Sequence, residues 1–191
     1  RTCIEILSSL PSVVVGLFGY LIFVVQFEYG FSIISGALAL TVFNLPQMTR
    51  NVEDSLRHVH HTQREAGLAL GISRWETVLH VVIPEALPSI VTGIVLASGR
   101  IFGEAAALIY TAGQSAPALD WSNWNIFSVT SPISIFRQAE TLAVHIWKVN
   151  SEGTIPDGTA VSAGSAAVLL IFILIFNLGA RKLGSYLHKK L

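Results

Sequence analysis

Four apolar runs constrain what this chain can fold into. Leu10 to Phe27, Phe31 to about Met48, Leu87 to Ala112 and about Val161 to Ala180 each approach the ~20 residues that a helix needs to cross about 30 Å of hydrocarbon. In lipid every backbone N–H and C=O must be satisfied internally, so runs of this length fold as helices, and four of them make an all-α polytopic bundle. Charge agrees with this: 13% of residues are charged, about half the share of a soluble domain. The second run is the least regular, because its apolar core ends near Leu45 and Pro46 can end or kink a helix there. Only Glu28, Tyr29 and Gly30 separate the first two runs, which predicts a tight antiparallel hairpin.

The cationic residues give the orientation, since cytoplasmic loops are enriched in them. Arg1, Arg50, Arg57, Arg64, Arg74, Arg181, Lys182, Lys189 and Lys190 fall on one side, and Arg137 and Lys148 on the other, with Arg100 inside the third run. Residues 51–85 and the C-terminal tail are therefore expected in the cytoplasm, and 113–160 outside. The outer segment carries Pro117, Pro132 and Pro156 as turn residues, and Trp121 and Trp124 where interfacial aromatics belong. Phe136, Ala139, Leu142, Ala143, Ile146 and Trp147 follow helical spacing, which predicts one amphipathic helix packed on the bundle.

Several function classes lack support. Net charge is zero and no basic run tracks a phosphate backbone, so no nucleic-acid partner is expected. Cys3 is the single cysteine and has no partner for an internal disulfide. No G-x-x-x-x-G-K-[ST] loop occurs, so this chain is not expected to hydrolyse ATP, and no nucleophile and base pair suggests a catalytic residue. His58, His60 and His61 cluster, and His58 and His61 share a helical face, but no cysteine or acidic pair completes a metal site, so a solvated face is expected. Ser35, Thr41 and Asn44 are expected to hydrogen-bond between helices. The chain opens on Arg1 without an initiator Met or a signal-peptide pattern, which reads as a fragment beginning inside a larger protein.

The loop "TQREAGLALGISRWETVLHVVIPEALP", Thr62 to Pro88, is the most informative stretch. Thr62 with Glu65 and Ser73 with Glu76 both fit the S/T-x-x-E capping box, predicting two short helices. Gly71 between them can take positive φ and turn the chain. Pro84 and Pro88 are expected to close the second helix and lead into the third span. Such a pair of helices is a knob able to enter a cleft in another protein, or a structural loop.

The series Glu65, Ala66, Gly67, three residues, Gly71, nine residues, Val81, Val82, Ile83, Pro84 resembles the EAA loop of the membrane subunits of bacterial ABC importers, EAA-x3-G-x9-I-x-L-P. It departs in having Gly67, Val81 and Ile83 for Ala, Ile and Leu, and all three stay small or apolar. "LPSVVVGLFGYLIFVV", "GRIFGEAAAL" and "FRQAETLAVHIWKVNSEG" extend the resemblance to the PstA type of phosphate permease subunit. That resemblance implies the type I importer permease (MetI-like) fold, a single transmembrane domain over 1–191 with four of six helices present, and about two further N-terminal helices. It implies that Glu65, Ala66, Gly67, Gly71, Ile83 and Pro84 couple the chain to an ATP-hydrolysing subunit. The implied partners are a second permease subunit, two ATPase subunits that bind ATP and Mg, an extracytoplasmic phosphate-binding protein, and membrane lipid.

Within "LASGRIFGEAAALIY" an arginine and a glutamate interrupt the third run. A lone arginine at mid-bilayer costs about 2.5–3.5 kcal/mol on insertion scales, so Arg100 must face protein, water or an anion. On a continuous helix Glu104 is at i+4 and within reach, and Gly99, Gly103 and Ala107 form a small-residue seam beside them. The pair is either a buried ion pair fixing register or part of the substrate path, where a planar guanidinium suits phosphate oxygens. Resemblance favours the path: the phosphate permeases carry the same G-R-x-x-G-E motif, and its Arg and Glu are implicated in transport. The function implied is half of an ATP-driven translocation path for inorganic phosphate. The alternatives are a permease for another oxyanion or small polar solute, and a channel or ion-coupled carrier gated by Arg100 and Glu104.

Overall fold

The computed structural model describes residue 4, residues 9–153 and residues 156–190, with side chains as far as residue 182. Arg1, Cys3 and the side chains of Lys189 and Lys190 lie outside the described residues. Helix α1, Ser12–Gly19, continues as a π-turn over Tyr20–Gln26. Glu28 and Gly30, both at positive φ, then reverse the chain into α2, Ile33–Arg57. After α3, His61–Ala69, comes one continuous helix, Arg74–Phe102, built of α4 (Arg74–Thr77), a π-turn (Val78–Val82) and α5 (Ile83–Phe102). A short α6, Ala106–Ile109, is followed by an irregular outer segment, then α7, Leu142–Glu152, and α8, Gly158–Lys190. All regular elements among the described residues are helical.

Arg74–Phe102 and Gly158–Lys182 are long and apolar enough to cross a bilayer, and Ser12–Gln26 is a shorter apolar helix. The distribution of side chains is inverted relative to a water-soluble protein. Phe18, Leu21, Leu170 and Ile175 are 57–67% exposed, whereas Ser32, Ser35, Thr111 and Ser131 are fully buried. Contiguous apolar surface of this kind belongs against lipid, and small polar residues inside suit helices that associate through close packing.

Several sequence expectations change. Thr41, Asn44 and Ser35 do not bond across to other helices: Thr41 Oγ1 and Asn44 Nδ2 donate to the carbonyls of Ala37 and Leu40 one turn back, and Ser35 Oγ to that of Gly30. Pro46 does not end α2, which runs on to Arg57 with Pro46 buried inside it. Pro84 and Pro88 do not close a helix either. Pro84 lies in the first turn of α5 and Pro88 within it, and the π-turn just before them widens the ladder where proline offers no N–H.

The outer helix starts later than its pattern predicts, at Leu142 behind an N-cap in which Thr141 Oγ1 accepts from Val144 N. Residues 135–137 stay out of the helix because their carbonyls are engaged elsewhere. Ile34 N donates to Ile135 O and Ile33 N to Arg137 O, each at 2.9 Å, which satisfies N–H groups that the start of α2 would otherwise leave orphaned. Val144, fully buried, packs on Leu108, Ile109 and Ala112 and so ties α7 to the segment after the third membrane helix.

Candidate functional site

The third apolar run is not a single helix from Leu87 to Ala112. It ends at Phe102, and the N–H groups of Gly103 and Glu104 donate to the carbonyls of Arg100 and Ile101 in a tight turn before α6. The small-residue seam is accordingly split. A Cβ at Gly99 would lie 2.9 Å from Asn177 Oδ1 of α8, whereas Ala107 packs against Gly16 of α1, where a Cβ would lie 2.9 Å from its Cα. Gly103 belongs to neither contact: it is exposed, and a Cβ there would meet only the Arg100 carbonyl oxygen of its own turn, at 3.6 Å.

The break also separates the charged pair, and the ion pair between Arg100 and Glu104, one of the two readings left open by the sequence, does not form. Glu104 Oε1 instead accepts from Ala107 N at 3.3 Å, holding the start of α6. Arg100 Nη1 donates to Gln47 Oε1 of α2 at 2.6 Å, and its guanidinium carbon lies 5.5 Å from the centre of the Phe43 ring. Phe43 and Gln47 are one helical turn apart, so a single face of α2 offers Arg100 an aromatic ring and a neutral acceptor. Arg100 and Gln47 are both exposed. The partner of the guanidinium is thus a neutral amide rather than a carboxylate. Gln47 was not singled out by sequence, since a glutamine near the end of an apolar run looks like ordinary solvation.

At the other end of the same helix lies the knob. Ser73 and Glu76 form the reciprocal capping box, with Glu76 N donating to Ser73 Oγ and Ser73 N to Glu76 Oε2. The box expected at Thr62 and Glu65 is absent. Helix α3 begins two residues earlier, behind His60, and no side chain caps it. Its position is set by packing: Arg64 Nη2 donates to Leu56 O at the end of α2 at 2.7 Å, and Val59, Val82 and Ala86 close a small apolar cluster beneath. His58 Nδ1 lies 2.6 Å from Asp54 O, and among the described residues no three metal-ligating side chains converge.

Gly71 turns the chain at φ +79°. Gly67 is buried against Thr77, so the third motif position joins α3 to α4. Ala66, Gly67 and Pro84 share the wall of a cavity of about 490 Å³ with Leu70, Ile72 and Val81, whereas Glu65, Gly71 and Ile83 do not line it. Glu65 and Ala66 are exposed, and Ile83 is half-buried at the start of α5. The knob presents apolar groups that the motif does not name, Leu70 at 82% and Trp75 at 68% exposure.

The sequence matches, over residues 1–191, the family described as binding-protein-dependent transport system inner membrane component. The chain belongs to this family. Members of this family are inner-membrane components of transport systems. The chain is 61% identical over its whole length to the probable ABC transporter permease protein YqgI of Bacillus subtilis (strain 168), covering 65% of that protein. It is 37% identical over 94% of its length to the phosphate transport system permease protein PstA of Xylella fastidiosa (strain 9a5c), covering 58% of it. Against PstA 2 of Mycobacterium bovis it is 41% identical over 71% of its length, covering 46% of that protein. The chain thus spans about half to two thirds of the length of these curated relatives. No solved structure matches it.

Proposed function

We propose that this chain forms half of the translocation path for inorganic phosphate in an ATP-driven importer, with Arg100 as the anion contact on the path wall. A second, similar permease subunit covers the exposed Arg100 and Gln47. Two ATPase subunits, which bind ATP and Mg, dock on the knob, and an extracytoplasmic phosphate-binding protein delivers substrate to the outer face. Residues 51–85 and the C-terminus are cytoplasmic in this arrangement, and ATP-driven movement of the knob opens the path alternately to each side.

One observation carries the reading: an un-neutralised guanidinium stands beside a break in a membrane helix. Non-helical backbone at membrane depth is tolerated only where it packs in protein or lines a water-filled cavity, and Gly103 is exposed, with only the Arg100 carbonyl of its own turn near it. The face bearing Arg100 therefore suits a path better than a lipid contact. Glu104 lies beyond the break, where its carboxylate holds the start of α6. The names of the PstA relatives support phosphate; that of the YqgI relative, which states no substrate, supports the broader class of oxyanion or small polar solute.

The test is ATP-dependent uptake in vesicles containing the full-length permease, its partner permease, the ATPase and the binding protein. Arg100→Ala is expected to leave the ATPase bound and to abolish phosphate uptake. Uptake close to the unmutated level refutes the assignment, and uptake of sulfate in preference to phosphate refutes the substrate.

A further inference from the structure

We propose that Gln47 determines which tetrahedral anion the Arg100 site accepts, by placing a hydrogen-bond acceptor next to the guanidinium. This rests on the reading of Arg100 as an anion contact. A guanidinium has donors only, so a 2.6 Å contact from Arg100 Nη1 fixes the Gln47 amide with its oxygen, not its nitrogen, toward the site. That oxygen has a second lone pair, and the guanidinium has N–H donors beyond Nη1. With Phe43 across one face of the guanidinium, an anion approaches along its donor edge, where Gln47 Oε1 is its neighbour. Both residues are exposed and joined by the 2.6 Å hydrogen bond, so an anion can reach the pair from outside the chain.

The chemistry then separates two anions of equal charge and similar shape. At mildly alkaline pH phosphate is mainly a dianion that keeps one P–OH, whereas sulfate is a dianion with no hydrogen. A phosphate bound to Arg100 can donate its O–H to Gln47 Oε1. Sulfate in the same place sets lone pair against lone pair, and a polar group left without its partner is where a site gains discrimination. A glutamate at this position would accept equally well but would neutralise the cation. The neutral amide accepts and leaves the charge available.

The experiment uses the complete permease and ATPase assembly in lipid nanodiscs at mildly alkaline pH, without the binding protein, whose own selectivity would mask that of the path. Phosphorus NMR line broadening gives the apparent Kd of inorganic phosphate, and competition gives that of sulfate. Gln47→Leu is expected to lower the phosphate preference about tenfold, the scale of one hydrogen bond. Gln47→Glu is expected to weaken binding of both anions at least tenfold by pairing with Arg100, with the ATPase still co-purifying. A phosphate-to-sulfate ratio within about twofold of the unmutated protein in Gln47→Leu overturns the proposal; if that variant fails to assemble, unchanged anion binding in Gln47→Glu overturns it. Arg100→Ala separates the two readings: loss of both anions upholds the site while Gln47 is judged on its own variants, and retention of both removes the site itself.

Discussion

Gly67→Ala would restore the alanine that EAA loops carry at this position, and the structure says that in this chain the change is unfavourable. A Cβ there would lie 2.8 Å from Thr77 Cγ2 and 3.1 Å from Thr77 Oγ1, against about 3.5–4.0 Å for a comfortable carbon contact. Thr77 cannot easily give way. It is 3% exposed, and its hydroxyl donates to Ser73 O at 3.0 Å, so turning the side chain loses a bond worth about 0.5–1.5 kcal/mol. Overpacking of this kind costs about 1–3 kcal/mol, offset by about 1 kcal/mol from the better helix propensity of alanine. The net expectation is a knob destabilised by about 1 kcal/mol. Thr77→Ala removes both opposing atoms, so in the double variant the alanine becomes harmless and the cycle shows a coupling of about 1–2 kcal/mol. Trp75, in α4 beside Thr77, gives a local fluorescence signal for thermal unfolding of the full-length protein in nanodiscs. A stabilising Gly67→Ala, or effects additive to within about 0.3 kcal/mol, would refute the packing argument.

Gly71→Val forces a β-branched residue to φ +79°, at a cost of at least about 1–2 kcal/mol, and should reduce the ATPase recovered with the permease; unchanged co-purification counts against a role for the turn in docking. Leu70→Asp changes a side chain that is 82% exposed at the rim of the knob cavity. Its stability should stay within about 0.5 kcal/mol while ATPase affinity, measured by titration in nanodiscs, drops at least about tenfold if Leu70 is a docking anchor. Val144→Ala, at a fully buried position against Leu108, Ile109 and Ala112, should cost about 1.5–3 kcal/mol, read as a lowered melting temperature.

Features that depend on local chemistry were legible in the sequence. The Ser73 and Glu76 box and the turn at Gly71 each need only a few neighbouring residues, and both form. Features decided by distant partners were not. The start of α3 follows from Arg64 reaching Leu56 rather than from its hydroxyl, and residues 135–137 stay out of the outer helix to serve the N–H groups of α2. At the candidate site, Arg100 stood out from its cost in lipid, but its partner did not. Spacing alone favoured Glu104, and spacing holds only while the helix continues. The helix stops at Phe102, and Gly103 followed by a carboxylate able to cap the next turn was the signal available for that stop.

The unbroken helix from Arg74 to Phe102 makes the knob and the guanidinium two ends of one lever. Trp75 and Arg100 are about 38 Å apart along it at 1.5 Å per residue. A pivot of about eight degrees at one end sweeps the other through roughly 5 Å, about the pitch of one helical turn. Displacement at the knob thus reaches Arg100 without passing through a chain of side chains, and the compliance of the shaft is concentrated in its one irregular stretch, Val78–Val82.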